Sequence, residues 1–393
     1  MRILFTVFCC VVQGFAFSQD LQWFKGNTHT HSYWSDGDDF PEMIMDWYKS
    51  RGYNFICLSD HNVLIEGEKW KLLPSMPSHQ RRFEEYVEKF GKDWVVYRTD
   101  TAGRIEIKLK TLAEYRPLYE EPGKFLIIPA EEITDHFERK PIHINAINVQ
   151  ELIKPQGGTS VVDVMQNNLN QVYDQRKRTG QPMFPHINHP NFGWAITVDD
   201  MKQITGERFF EVYNGHPLVH NYGDSLRMGT EQMWDELLID YLTKGKPLIF
   251  GLATDDAHHY VNFAIEQSNP GRGFIMVRAK ALTPEALIDA MERGEFYSST
   301  GVLLEDVSFK KNRLKIEIKA EQNVQYTIQF FGARKNEDRA HLVKEIRKNS
   351  ASFKISKDML YVRARIVSSK PKENPFQEGD FETAWIQPVV PQL

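Results

Sequence analysis

Apolar and polar positions change rhythm along this chain. Between residues 27 and 301, short apolar runs fall at 55–58, 125–129, 143–149, 183–187, 209–214, 248–253 and 274–277. Between them lie stretches with apolar residues at helical spacing, at 41–51, 160–179, 231–244 and 284–293. The first of these opens on Pro41, which suits the first helical position, and stops at Gly52. Repeated strand–helix alternation predicts parallel strands with helices outside, in a closed barrel, with an open doubly wound sheet as the alternative. The stretch 63–123 is long and charged, includes a helix-like segment at 80–90, and reads as an insertion over one face. After about Asp306 the period becomes two, at 307–319, 326–331, 351–355 and 360–367. That is the pattern of antiparallel strands with one wet face, so 306–393 is expected to form a small β-sandwich.

The first eighteen residues follow another pattern. Arg2 precedes an apolar run at 3–12, and Ala16-Phe17-Ser18 precedes Gln19. This reads as a secretory signal peptide over 1–18, too short to span a bilayer, and predicts an exported protein, periplasmic or extracellular. Cys9 and Cys10 lie inside it without a lipoprotein-type sequence before either. Cys57 is then the one cysteine of the mature chain, in an apolar run that suits core packing, so no disulfide framework is expected.

Composition narrows the partners. The chain has 393 residues, 41% hydrophobic and 26% charged, and a formal net charge of -5. That length suits one large catalytic domain and a smaller second one. No basic footprint points to nucleic acid, and no mature membrane span is expected.

Candidate chemistry gathers in a few places, most of them just after a predicted strand. These are Asn27-Thr28-His29-Thr30-His31 with Asp36; Asp60-His61-Asn62; Glu131-Glu132-Ile133-Thr134 with His143; His186-Ile187-Asn188-His189-Pro190; and Asp255-Asp256-Ala257-His258-His259. Residues two apart in an extended segment point the same way, so His29 and His31 can grip one cation together. Imidazoles and carboxylates without thiolates suit Zn, Mn or Fe. A carboxylate can bridge two such ions, and paired ions polarise a substrate oxygen and acidify water. In α/β barrels the C-terminal ends of the strands carry the active site.

These motifs, in this order, resemble those of the PHP (polymerase and histidinol phosphatase) superfamily over about 24–301. The resemblance implies a distorted (β/α)7 barrel over 24–305 and up to three divalent ions. His29, His31, Glu132 and Asp256 would hold the first. Glu132, His143 and His189 would hold the second, with Glu132 bridging. Asp36, His61 and His258 would hold the third, and Asp60 would orient a ligand histidine. Glu132 is preferred to Glu131 because it precedes Ile-Thr, and Asp256 to Asp255 because it keeps the Asp-x-His spacing. The end of the match, 283–294 followed by Tyr297-Ser298-Ser299-Thr300-Gly301, is similar to the branch that includes carbaryl-hydrolase-like metalloenzymes, which often carries a C-terminal β-sandwich.

Two reactions follow from that resemblance. Most of the superfamily hydrolyses phosphate esters, but the motif loops here are poor in Arg and Lys, with Arg227 and Arg272 as anion-binding candidates. They are rich in rings instead: Tyr33, Trp34, Phe192, Trp194, Tyr213, Tyr222 and Tyr260. The chain also resembles exported PHP-like proteins of polysaccharide-degrading bacteria, among them an ulvan oligosaccharide dehydratase acting on a non-reducing-end uronic acid. The leading expectation is therefore a dehydratase acting on an oligosaccharide, with phosphoester or other ester hydrolysis as the alternative. Candidate bases are His186, Tyr213, His216 and His220.

Overall fold

The computed structural model describes residues 21–392; the expected signal peptide, with Cys9 and Cys10, lies outside them. The chain begins β1 (Gln22–Asn27), α1 (Pro41–Ser50), β2 (Phe55–Leu58). The insertion follows as β3 (Trp70–Leu72), α2 (Pro77–Phe90), β4 (Tyr97–Thr99), β5 (Ile105–Lys108) and α3 (Leu112–Tyr119). Then come β6 (Leu126–Phe137), β7 (Lys140–Ile147), α4 (Val161–Thr179), β8 (Phe184–Ile187), α5 (Val198–Gln203) and β9 (Phe209–Asn214). The α/β part ends with α6 (Thr230–Thr243), β10 (Phe250–Thr254), β11 (Phe274–Ala279), α7 (Pro284–Glu292) and β12 (Phe296–Ser299). The remaining strands are β13 (Leu304–Lys310), β14 (Arg313–Ile318), β15 (Tyr326–Arg334), β16 (His341–Arg347), β17 (Ser350–Lys354), β18 (Met359–Pro371) and β19 (Phe381–Val389).

Local chemistry explains the helices. In α4, Ser160 caps the start by accepting a hydrogen bond from the Asp163 backbone, and Gly180 ends it in the left-handed conformation. Its buried face carries Val161, Val164, Met165, Leu169 and Val172 at helical spacing. A cap of this kind contributes about 1 kcal/mol.

One thirteen-stranded sheet runs β10-β9-β8-β7-β6-β2-β1-β11-β12-β19-β18-β15-β16. The sheet curls: one buried cluster draws Phe24, Phe55, Ile128, Phe184, Phe250 and Phe296 from six different strands. The closed ladder expected from the alternation does not form among the described residues. The only ladder partner of β10 is β9, and beyond β12 the sheet continues into β19 instead of returning. Side chains bridge the seam. Ser298 Oγ donates to the Gly251 carbonyl and accepts from the Ala253 N–H, while the Gln387 amide pairs with both backbone groups of Gly251. The sheet is also mixed. β7 runs antiparallel to β6 and β8, because the apolar run that starts β6 continues through Glu132 to Phe137 and turns back as a hairpin.

The period-two region forms antiparallel strands. β15, β16, β18 and β19 extend the main sheet, and β13-β14-β17 make a separate small sheet. Leu314 and Ile316 from the small sheet share a core with Ile328, Phe330 and Ile366 from the large one. Buried Arg363 on β18 ties this region to α6, donating to Asp235 at 2.6 and 2.7 Å.

Candidate metal centre

β1, β2, β6, β8, β9 and β10 point the same way, so their C-terminal ends share one side of the curled sheet. His29 and His31 follow β1, His61 follows β2, His189 follows β8, and Asp256 and His258 follow β10. Glu132 lies within β6 and reaches the same end because its strand runs on past it. His143 joins from β7, paired with Thr134 of β6. Three non-glycine residues here adopt left-handed backbone: Asn62 (φ 51°), His189 (φ 25°) and Asp256 (φ 48°). Such strain concentrates where surrounding structure imposes a side-chain direction for a function.

Four donor atoms meet at the centre. Glu132 Oε2 lies 3.3 Å from His29 Nε2 and 3.2 Å from His31 Nε2. Asp256 Oδ1 lies 3.2 Å from each of the same two nitrogens. These four distances lie between 3.2 and 3.3 Å, and His29 Nε2, His31 Nε2 and Glu132 Oε2 are buried without a hydrogen-bond partner. Buried polar atoms left in this way imply a missing partner, and the donor set fits a divalent cation.

The remaining expected ligands surround this core. Glu132 Oε1 lies 3.0 Å from His143 Nδ1 and 3.5 Å from His189 Nε2. Asp36 approaches His61 Nε2 at 3.5 Å and His258 Nε2 at 3.4 Å, and His31 Nδ1 at 3.7 Å. Groupings able to hold an ion include His31, Asp36, His61 and His258, and also His61, Glu132 and His143. His61 thus borders two positions, since its Nδ1 lies 3.0 Å from Glu132 Oε2. All nine residues expected to bind metal are brought together at one end of the sheet.

Charge organises the cluster. Burial opposes charge at His29, His31, Glu132 and Asp256, yet there the opposite charges prevail, whereas burial lowers His143. His29 is raised well above its ordinary value by Asp256, Glu211 and Glu132, and His31 is raised by the nearby Asp256 and Glu132 carboxylates. Glu132 is held well below the carboxylate range by His61, His29 and His143, and Asp256 by His29, His31 and His258.

Glu211 on β9, which the sequence reading passed over, is central to the second layer. It accepts His29 Nδ1–H at 2.6 Å, and at 2.8 Å the Thr254 hydroxyl, the His189 backbone N–H and the Asn214 amide. The first bond fixes the tautomer of His29 so that its Nε2 lone pair faces the cluster. A lone glutamate in the apolar strand Phe-Phe-Glu-Val-Tyr-Asn was the available signal. Asn188 donates to Glu132 Oε1 at 2.7 Å, and Asn214 to Asp256 Oδ2 at 3.1 Å.

The two paired ambiguities separate cleanly. Glu131 points to the other face of β6, where it accepts from the Ile153 N–H, and burial pushes its carboxyl up to about 8. Asp255 turns away to the Gly271 and Gly273 N–H groups and the Tyr48 hydroxyl.

Several expectations need correction. Asp60 contacts no histidine directly; it accepts from the Ser32 N–H and hydroxyl and from the Ser35 hydroxyl, whose oxygen lies 3.5 Å from His31 Nδ1, and so shapes the loop carrying Asp36. Of the four candidate bases only His216 borders the cluster, 5.5 Å from the His258 ring, with Nδ1 accepting the Leu218 N–H; burial lowers it to about 4. His186 is buried beneath, 3.9 Å from Glu211. Tyr213 packs on Trp385 at 5.4 Å, and His220 stacks on Trp194 at 4.4 Å. Tyr33, Trp34 and Tyr260 are core, whereas Phe192 borders the site at 5.1 Å from His189. Arg272 donates to the carbonyls of Gly215, Ala264 and Ile265, and Arg227 is engaged with Asp224 and the Trp194 ring.

No protein-family model matches the chain, and no curated protein matches it significantly. Among solved structures it is similar to a two-domain protein containing a predicted PHP-like metal-dependent phosphoesterase from Bacteroides vulgatus, at 16% identity and TM-score 0.41 over 95% of this chain and 96% of that one. It is also similar to a protein from Bifidobacterium adolescentis described as a metal-dependent phosphoesterase, at 11% identity and TM-score 0.27 over 59% of this chain and 87% of that one. A third is an amidohydrolase from Chromobacterium violaceum, at 12% identity and TM-score 0.30 over 60% of this chain and 87% of that one. None of these TM-scores reaches 0.5, so the chemistry rests on the side chains alone.

Proposed function

We propose that this chain is a PHP-type metalloenzyme that hydrolyses phosphate esters with up to three divalent transition-metal ions, Zn, Mn or Fe. The observation that carries the reading is the convergence of His29, His31, Glu132 and Asp256, with His29 Nε2, His31 Nε2 and Glu132 Oε2 buried and without a hydrogen-bond partner. Glu132 presents its second oxygen to His143 and His189, and Asp36, His61 and His258 stand beside the same cluster. Bound divalent ions supply Lewis-acid polarisation of an ester oxygen and acidify water. The chain itself orients the donors through Glu211, Asn188 and Asn214 and shields one side with Phe192. His216, neutral because burial lowers it to about 4 and with Nδ1 accepting the Leu218 N–H, carries its proton on Nε2 and can donate a hydrogen bond from it to a substrate oxygen.

The test is direct. The purified protein is analysed for metal, reconstituted with each of the three metals, and assayed for phosphate release from p-nitrophenyl phosphate. The expected result is metal-dependent hydrolysis, abolished in His31→Ala and Asp256→Ala together with loss of bound metal. Full activity in either metal-analysed variant would overturn the site assignment.

Dehydration of a terminal uronate on an oligosaccharide is the second reading. It is favoured by the engagement of Arg227 and Arg272 elsewhere, which leaves neither free to clamp phosphate. A new ultraviolet-absorbing double bond in ulvan oligosaccharides, with unchanged chain length and no phosphatase activity, would replace the first reading. Export is proposed from the residue 1–18 pattern, and sequencing the mature N-terminus tests it. Among the described residues no helix is long and apolar enough to cross a membrane.

A further inference from the structure

A second cavity of about 830 Å³ opens where α1, the loop before β11 and the segment after β18 meet. It shares no residue with the imidazole cluster. Lys25, Arg51 and Lys372 line it, together with the rings of Trp47, Tyr53 and Phe263.

Its charges are unevenly matched. The Lys25 ammonium lies 3.9 Å over Tyr53 and 4.4 Å over Phe274. Among the described residues it has no hydrogen-bond acceptor and no carboxylate within 4.0 Å. Burial lowers it to about 8. The Arg51 guanidinium lies over the Trp47 ring at 4.2 Å and likewise has no carboxylate partner among the described residues. Lys372 donates to the Gly271 and Thr300 carbonyls, which leaves a third N–H. Two acids also line the space, but Glu382 pairs with Lys370 at 3.3 Å and Glu373 is exposed.

The walls are apolar and ring-shaped. Phe263 is 52% exposed at the rim, an aromatic left open to water beside unpaired cations. Gly271, at φ 86°, keeps Trp47 in place: a Cβ there would meet the indole at 2.9 Å. Ring faces beside a cation hold a ligand with an apolar ring and one negative end. An ammonium is a point charge suited to a single carboxylate. Bidentate phosphate recognition calls for a guanidinium fork, and the guanidinium lining this cavity is engaged over the Trp47 ring.

We propose that this cavity is a binding site for a ring-bearing carboxylate, with Lys25 and Lys372 taking the carboxylate and the open Phe263 ring at the rim taking the ligand's ring. The proposal is independent of the chemistry at the metal centre. A sugar acid and an aromatic acid share these features, so glucuronate and benzoate are titrated separately by calorimetry into the metal-loaded protein. Glucose and benzamide serve as neutral counterparts.

The expected result is saturable binding of one or both acids, at least about tenfold weaker in Lys25→Met and in the neutral counterpart. Which acid binds identifies the source of the ligand. The acid that binds also slows acetylation of Lys25 by an N-hydroxysuccinimide ester in the wild-type protein, read by peptide mass; this arm decides the matter if the variant misfolds. The proposal is overturned if neither acid binds below about 10 mM, if Lys25→Met binds as tightly as wild type, or if Lys25 stays unprotected while an acid is bound.

Discussion

Glu211→Gln is the sharpest probe of how the cluster is held. The substitution keeps the shape of the side chain and removes its charge. All four groups around the carboxylate donate to it: His29 Nδ1 and Thr254 to one oxygen, the His189 N–H and Asn214 to the other. A glutamine must turn its NH2 toward one pair. Facing the first, it drives His29 to the tautomer that carries its proton on Nε2, pointing into the cluster. Facing the second, it opposes a backbone N–H that has no other acceptor there. Either arrangement leaves a buried donor unmatched, at ~1–3 kcal/mol. Removing an outer-shell partner of a ligating histidine typically costs 10–100-fold in metal affinity, which is ~1.4–2.7 kcal/mol. Competition against a chromogenic chelator, with metal content read by mass spectrometry, measures this. Glu207→Gln is the control. Glu207 is also buried, but burial pushes its carboxyl up to about 8, so it is already protonated at neutral pH. Unchanged affinity in a folded Glu211→Gln, or equal losses in both variants, would refute the reasoning.

Other consequences follow from the same coordinates. His29 and His31 are raised above their ordinary value of 6.5 in the metal-free protein. Their contribution to stability is full below that value and is lost as pH rises through their folded values, whereas metal binding needs them deprotonated. The metal-induced rise in Tm should therefore grow with pH above 6.5, and a difference that stays flat across the scan contradicts the charge assignment. Arg363→Ala removes the buried partner of Asp235 and should cost ~3 kcal/mol without altering metal content; chemical denaturation checks both halves. Cys57 is buried in β2 and burial pushes its thiol up, so it should react with a thiol reagent only after denaturant unfolds the chain.

Much of the candidate site was legible in the chain because metal ligation draws on few residue types at constrained spacings. His29-x-His31 declares itself through the two-residue period of extended backbone, and Asp256-x-His258 through its place after an apolar strand. The switch to period two after Asp306 likewise announced antiparallel strands. These are local properties, written over a handful of neighbouring residues.

What only the tertiary structure decided was long-range. Glu211 meets His29 across 182 positions, and no local pattern marks a carboxylate whose role is to turn another strand's imidazole. Whether the ladder closes depends on how β10 meets β12 and β19, where Ser298 and Gln387 stand in for backbone pairs. The hairpin of β6 and β7 came from a strand running on past its ligand, and His186, Tyr213 and His220 were sorted from His216 by packing alone. Side-chain type and spacing set what a residue is able to do. Which partner it meets is settled by the burial of distant strands against one another, and that information is not carried by any short stretch of chain.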